Sequence, residues 1–447
     1  MDVQVTQIRE KSLILRTVTD MITFFYNIGI YLVMPLIGVA SLFSRKTKLF
    51  YKGRVGLVKK IEDAFKGETS DVIWFHCSSV GEFEQSRPLI EWFKGNSPES
   101  KILLTFFSPS GYELRKNYPL ADWVFYLPID TPTNARRVVS AVKPKKLIFT
   151  KYDLWKNYIN KSSKRGCELY LISAIFRPYQ SFFKWWGGFF RSMLRKFRFI
   201  FVQDEESKRM LETIGIKENV VVSGDTRFDR VEKIASESKE FPAIAEFSKE
   251  NFTIVAGSSW LPDDELIAEV MKNFSKVKLI VAPHEIHKER IDKVVEVYSS
   301  YGVVKYSDIK EDAERESVSE NPHPLFEGKR VLVIDCIGIL SSLYRYADFA
   351  YIGGGFGVGI HNTLEAAVYG VPLAFGPNYK KFKEAIDLID CNGATCVTTP
   401  SELYQVVDNC VKDKELREFR ASNCRKYVEK NLGATEKIVS RITNKHE

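Results

Sequence analysis

The chain has 447 residues, of which 45% are hydrophobic and 13% aromatic, enough for two or three domains with buried cores, which excludes a disordered or low-complexity protein. Its seven cysteines (Cys77, Cys167, Cys336, Cys391, Cys396, Cys410 and Cys424) form no CxxC pair, which argues against a zinc ribbon or a disulfide framework and suits a reducing compartment. The net charge of +8 is unevenly divided: residues 45–203 hold 29 Lys/Arg against 13 Asp/Glu, and residues 204–447 hold 33 against 41, so the first half is the one expected to face an anionic partner.

Residues 21–44 are a run of 24 without a charged side chain, and residues 45–60 follow with seven Lys/Arg and no acid. A hydrocarbon core needs roughly 20 apolar residues in a helix, and the positive-inside rule places the basic flank in the cytoplasm. The expectation is a single N-terminal membrane anchor with the rest of the chain cytoplasmic. A cleavable signal peptide fits poorly, because the run is too long and its basic flank is on the wrong side. Pro35, Asn27 and two glycines weaken a span, so a helix lying in the membrane interface stays open as the alternative.

Short apolar β-runs then alternate with helical stretches. They fall at 72–75, 102–106, 147–150, 168–172, 199–202 and 220–222, and restart at 252–256, 277–281, 330–334, 349–352 and 372–374. This rhythm predicts α/β architecture with two parallel, doubly wound, Rossmann-like sheets. The expected division is 1–50 for the membrane helix and basic collar, 51–230 for an acceptor-binding domain and 231–447 for a nucleotide-sugar-binding domain. Ligands in such folds bind at the carboxyl ends of strands, here in a cleft between facing domains. Residues 306–324 read as a charged surface loop.

Candidate sites follow the strand ends. After the first strand comes Ser78-Ser79-Val80-Gly81-Glu82, a tight turn into a helix. A carboxylate there can act as a general base or can cap the helix. Ser108 and Ser110 follow the second strand, in a loop able to present donors to an anion. Lys151 and Asp153 follow 147–150, where lysine can meet phosphate and a solvated helix start is the plainer reading. Residues 171–203 carry six Lys/Arg and no acid, interleaved with Trp185, Trp186 and several Phe. That texture fits single-stranded nucleic acid or a membrane interface, and the upstream apolar run favours the membrane. In the second half, residues 352–367 (IGGGFGVGIHNTLEAA) read as strand, glycine-rich loop and helix. Glycines including Gly355 let backbone approach a ligand, the helix offers N–H groups to phosphate, and Glu365 can accept both hydroxyls of a ribose. Neither the GxGxxG spacing nor the GK[ST] of a P-loop is present.

The segment GGGFGVGIHNTLEAAVYGVPLAFGPNYKKF resembles the glycine-rich signature of 3-deoxy-D-manno-octulosonic acid (Kdo) transferases. SSVGEFEQSRPLI, YLPIDTPTNARRVVSAVKPKKLIFTKYDLWKN, VVSGDTRFD, AGSSWLPDDE and VAPHEIHKER resemble further motifs of the family in the same order, over about residues 50–430. The resemblance implies a GT-B fold and metal-independent transfer of Kdo from CMP-Kdo, without a cofactor, to a lipid A precursor at the cytoplasmic face of the anionic inner membrane. It involves no nucleic acid. It implies Glu82 as general base and CMP contacts at Pro283, His284, Ile337, Gly338, Ile339, Asn362, Thr363, Leu364 and Glu365. Ser79, Gly81, Ser108, Ser110, Lys151, Asp153, Ser258, Ser259 and Gly355 are the accompanying donor or acceptor loop positions, and no metal ligand is expected. The chain departs from the family pattern at Lys151, an acid there, at Lys156, a proline, at His284, an arginine, and at Ile339, an acid. The competing readings are a GT-B enzyme using a UDP-sugar on another membrane lipid, and an inactive lipid-binding scaffold.

Overall fold

A computed structural model describes the backbone of residues 2–313 and 324–443 and the side chains of 21–309 and 325–443. The chain divides into two compact units, one of residues up to Arg230 together with the chain from Gly433 onward, the other Val231–Leu432.

The first unit holds a seven-stranded, all-parallel sheet: β1 Val72–Cys77, β2 Lys101–Phe106, β3 Trp123–Tyr126, β4 Lys146–Thr150, β5 Glu168–Ala174, β6 Phe199–Val202 and β7 Val220–Val222, in the order β3-β2-β1-β4-β5-β6-β7. The central strands are buried on both faces, which is why they read as continuous apolar runs rather than alternating ones. Because β2 and β3 lie on one side of β1 and β4 to β7 on the other, the strand order reverses between β1 and β4. Ligands of doubly wound sheets bind at such a reversal.

The second unit repeats the plan with β8 Thr253–Ser259, β9 Lys278–Pro283, β10 Val303–Lys305, β11 Val331–Val333, β12 Phe349–Ile352, β13 Leu373–Phe375 and β14 Ala394–Cys396, in the order β10-β11-β9-β8-β12-β13-β14. Its reversal lies between β8 and β12.

Three strands lacked a signal in the sequence, namely β3, β10 and β14. All three are sheet edges, where one flank is unpaired and the apolar run is short or interrupted. Residues 306–313, expected in a loop, form a helix, Tyr306–Ala313, and the remainder of that stretch through 323 lies outside the described residues.

Residues 433–443, expected in the second domain, pack with the first unit. Helix Ala434–Thr443 places Ile438, Val439 and Ile442 in the apolar cluster beneath β1 and β2. Asp229 holds the entry to that helix by accepting the backbone N–H groups of Gly433 (2.7 Å) and Thr435 (2.6 Å).

At the amino end, α1 (Asp2–Ala40) contains the apolar segment Met21–Ala40, 20 residues of mean hydropathy 1.8, long and apolar enough to cross a membrane. α2 (Arg45–Lys52) and α3 (Leu57–Ala64) follow. Arg54 between them is buried. It donates to the carbonyls of Leu127 (3.0 Å), Phe50 (3.2 Å) and Phe107 (2.6 Å), with its guanidinium over the Phe50 ring. Burial lowers its pKa to about 9. All seven cysteines are free thiols.

Candidate active site

In the first unit the site is built on the carboxyl ends of β1 and β4. β1 ends at Cys77, and α4 (Val80–Asn96) starts three residues later with Ser79 as its N-cap, the Ser79 side chain accepting the Glu82 N–H at 3.5 Å. The Glu82 carboxylate reaches back to accept the Ser78 N–H. Glu82 therefore closes the first turn of its own helix, the plainer reading of this residue, and stays half-buried at the strand end. Burial pushes its pKa up, with the neighbouring Asp153 charge adding to the shift. The Ser78 N–H, His76 and Lys151 oppose it.

Asp153 has the opposite environment. Its Oδ2 accepts the Ser78 hydroxyl, the Trp155 indole N–H at 3.1 Å, and meets His76 Nε2 at 3.3 Å. Burial raises its pKa, but these bonds and the His76 charge outweigh it, so Asp153 is held below the ordinary carboxylate range. Behind it, His76 Nδ1 meets Thr105 Oγ1 at 3.0 Å, and that hydroxyl accepts the Trp74 indole N–H at 2.8 Å. Two neighbouring carboxylates thus have their pKa values pushed apart, a mark of divided roles in acid–base sites.

Lys151 lies at the end of β4 in a left-handed conformation, φ 61°, unusual for a long side chain and a form of backbone strain concentrated at functional positions. Ser108 and Ser110 stand beside the same turn. The Ser108 N–H donates to the Ser78 carbonyl (2.9 Å), and its hydroxyl caps helix Pro109–Arg115. Gly81 sits in the first turn of α4. Ser79, Gly81, Glu82, Ser108, Ser110, Lys151 and Asp153 are therefore gathered at one end of one sheet.

In the second unit the ends of β11, β9, β8 and β12 are adjacent, and they carry Ile337–Ile339, Pro283–His284, Ser258–Ser259 and the glycine loop. Ser258 has a left-handed φ of 52°. The glycine loop is packed against backbone. A Cβ on Gly353 would meet the Ser258 carbonyl at 2.3 Å, and one on Gly355 would meet the Gly376 Cα at 2.5 Å. Asp263 ties the loop down, accepting the N–H groups of Gly354 (2.9 Å) and Trp260 (2.9 Å) and the Tyr351 hydroxyl (3.0 Å).

The helix expected after this loop is one turn, Leu364–Ala367, too short to act as a long helix dipole. Asn362 organises it, its carbonyl oxygen accepting the Leu364 N–H (3.2 Å) and its amide donating to Glu365 Oε1 (3.0 Å). Thr363 and Leu364 are buried beneath, so Asn362 and Glu365 are the half-exposed members of the four. Gly338 takes φ 96° at the tip of its loop, with Ile337 strongly exposed and Ile339 capping helix Leu340–Leu343.

Sequence reasoning did not assign roles to His76, Trp155, Trp260, Asp263 and His361. Trp260 and His284 stack at 4.8 Å, His284 and His361 at 4.4 Å, and the Trp260 indole donates to His361 Nε2 at 3.3 Å. Burial, with His284 adding to it, lowers the His361 pKa to about 4, so it accepts as the neutral ring. The signal for His361 was its place inside the quoted glycine-rich segment, and that for His76 its place at the end of the first strand, two residues before the SSVGE turn. Their partners are distant in sequence. Among the described residues, no group of three or more His, Cys, Asp and Glu side chains is arranged to hold a metal ion.

Residues 51–230 match the family model for 3-deoxy-D-manno-octulosonic-acid transferase. The 3-deoxy-D-manno-octulosonic acid transferase of Chlamydia muridarum is 28% identical over 382 residues, covering 83% of this chain and 84% of that protein. This chain belongs to the Kdo transferase family. It is a glycosyltransferase. A bifunctional glycosyltransferase/methyltransferase of Fusobacterium nucleatum is 30% identical over 317 residues, covering 68% of this chain, and the chain spans about half (47%) of that longer protein. Among solved structures, UDP-GlcNAc 2-epimerase from Neisseria meningitidis aligns over 83% of this chain and 99% of its own, with a TM-score of 0.58 at 16% identity, which identifies the transferase's fold as GT-B.

Proposed function

We propose that the chain transfers Kdo from CMP-Kdo to a lipid A precursor at the cytoplasmic face of the inner membrane, with Glu82 as general base and without a metal ion. The observation that carries the base assignment is the split between a Glu82 held high by burial and an Asp153 held low by His76, Ser78 and Trp155. A carboxylate whose pKa is raised toward the working pH is the better proton acceptor of the two. Glu82 takes the proton from an acceptor sugar hydroxyl. The oxygen forms the new bond to the anomeric carbon of Kdo, and the bond from that carbon to the phosphate oxygen breaks, CMP leaving with the electron pair. The proton passes from Glu82 to solvent.

His284, Gly338, Asn362 and Glu365 of the second unit are assigned to CMP, Glu365 to the ribose hydroxyls. The basic collar and the exposed Trp185 and Trp186 support an anionic membrane and a phosphorylated lipid as surroundings. The test supplies purified full-length protein with a lipid A precursor and either CMP-Kdo or UDP-sugars, and reads released nucleotide and lipid mass. Kdo addition from CMP-Kdo is expected. Turnover only with a UDP-sugar, or none with any donor, would reject the assignment.

A further inference from the structure

We infer that the apolar segment of α1 lies flat in the membrane surface, latched lengthwise to the first unit, and does not cross the bilayer. This rests on the membrane-associated reading above. The half-buried residues of the segment are 22, 23, 26, 27, 30, 33, 34, 37, 38 and 41, a single stripe at helical spacing. The contacts along that stripe are specific. Ile22 and Tyr26 pack on the apolar core of the first unit, and the Tyr26 ring meets Phe189 at 5.2 Å. The Tyr26 hydroxyl donates to Asp130 Oδ2 at 2.7 Å. Asn27 Oδ1 accepts from the Asn157 amide at 2.9 Å. Beside the stripe, the exposed Tyr31 approaches Thr133 at 3.4 Å, and within it Gly38 lies against the Tyr51 ring of α2.

The receiving groups are themselves fixed. Asp130 is fully buried and accepts the N–H groups of Asn157 (2.9 Å) and Tyr158 (2.9 Å), while the Asn157 amide also donates to the Asp130 carbonyl (2.6 Å).

Contacts with the body run from residue 22 to residue 31, about 14 Å of helix at 1.5 Å per residue and about half of the roughly 30 Å that a spanning helix needs, and Gly38 then packs on α2. A span would either drag Asp130 and Asn157 into hydrocarbon or break the contacts that residues 22–31 make with the body, leaving polar groups unpaired in lipid. The opposite face supplies the lipid contact. Met21, Phe24, Phe25, Ile28, Leu32, Leu36 and Val39 are exposed, with no charge among them.

The occupant of that face is an anionic bilayer surface. Arg45, Lys46, Lys48 and Lys52 are exposed just beyond the segment, matching anionic headgroups. Trp185 and Trp186 stand exposed before helix Gly188–Leu194, which packs on α1, and the Trp186 ring leads through Phe190 to Phe189 and Tyr26. Tryptophan at headgroup level is the usual companion of an interfacial helix, whose apolar face sits roughly 5–10 Å into the headgroup and acyl boundary.

The test uses the full chain with an affinity tag and a protease site before Met1, in sealed inverted inner-membrane vesicles with the cytoplasmic face outward. The tag is expected to be cut without detergent, as readily as a tag at the carboxyl end. A membrane-bound protein whose amino-terminal tag is protected until detergent is added would overturn the flat helix alone. Protein that fails to sediment with the vesicles would overturn the membrane reading itself. A Phe25→Glu/Leu32→Glu/Leu36→Glu variant of unchanged Tm is expected to bind phosphatidylglycerol-containing vesicles at least roughly tenfold more weakly. Unchanged vesicle binding, or a change confined to self-association in solution, would assign the face to a second copy of the chain and refute the inference.

Discussion

Glu82→Gln separates the helix cap seen at the end of β1 from the proton transfer proposed for the same carboxylate. The glutamine carbonyl can still accept the Ser78 N–H, so the reciprocal cap with Ser79 survives. What is lost is the proton acceptor. General-base catalysis contributes about 10²–10⁴ in rate, so kcat is expected to fall by that factor, about 2.7–5.5 kcal/mol of barrier. Stability should move little. The folded-state pKa of Glu82 is raised by burial, so its contribution to stability is fully present below the unfolded pKa and is lost as pH rises through the folded one. At neutral pH the carboxylate is a cost that a neutral amide removes, and the Gln variant should unfold no earlier than wild type. Glu82→Ala, by contrast, deletes the cap as well and should lose about 1 kcal/mol. The assays are CMP release under saturating donor and acceptor, and thermal unfolding of the same samples. The acidic limb of the wild-type kcat profile should lie above the ordinary glutamate range. A Gln variant with more than a tenth of wild-type kcat, or one whose loss of rate is matched by a loss of folded protein, would refute the base assignment.

Asp153→Asn removes the charge that helps hold Glu82 high, so the acidic limb of the kcat profile should move to lower pH. An unmoved limb would mean that the two carboxylates are not coupled. Arg290→Met leaves Asp264 buried without its ion pair, a carboxyl that burial already raises to about 6 against the pull of Arg290. About 3–5 kcal/mol of stability should be lost in urea titration. Gly353→Ala forces a Cβ against the Ser258 carbonyl and should cost about 1–3 kcal/mol while abolishing thermal stabilisation by CMP. Deleting residues 1–44 uncovers the groove that Ile22 and Tyr26 fill and strips Asp130 of a donor. The truncated protein should therefore lose roughly 2–4 kcal/mol in thermal or urea unfolding as well as its vesicle binding.

The sequence by itself determined the architecture of both sheets in their centres, because a strand buried on both faces needs a continuous apolar run and leaves a mark in composition. It also marked the glycine loop and the SVGE turn, where local backbone demands restrict the residue type. Three of the four edge strands, β3, β10 and β14, were illegible, since pairing on one side only relaxes that demand, whereas the edge strand β7 kept a legible run of three valines. So was the placement of helix Ala434–Thr443, whose apolar stripe of Ile438, Val439 and Ile442 suits either core by pattern alone.

What tertiary structure alone decided is the company each polar group keeps. Glu82 and Asp153 are 71 positions apart in the chain, and Asp153 and His76 are 77 apart. Only the parallel pairing of β1 with β4 brings them to one strand end, where burial raises one carboxyl and hydrogen bonds lower the other. The same holds for α1. Length and hydropathy describe a helix fit to span a membrane, and they are blind to the Tyr26 hydroxyl and the Asn27 amide finding Asp130 and Asn157 more than a hundred residues away. Hydropathy sums residues along the chain, whereas hydrogen bonds are made between surfaces that only folding brings together.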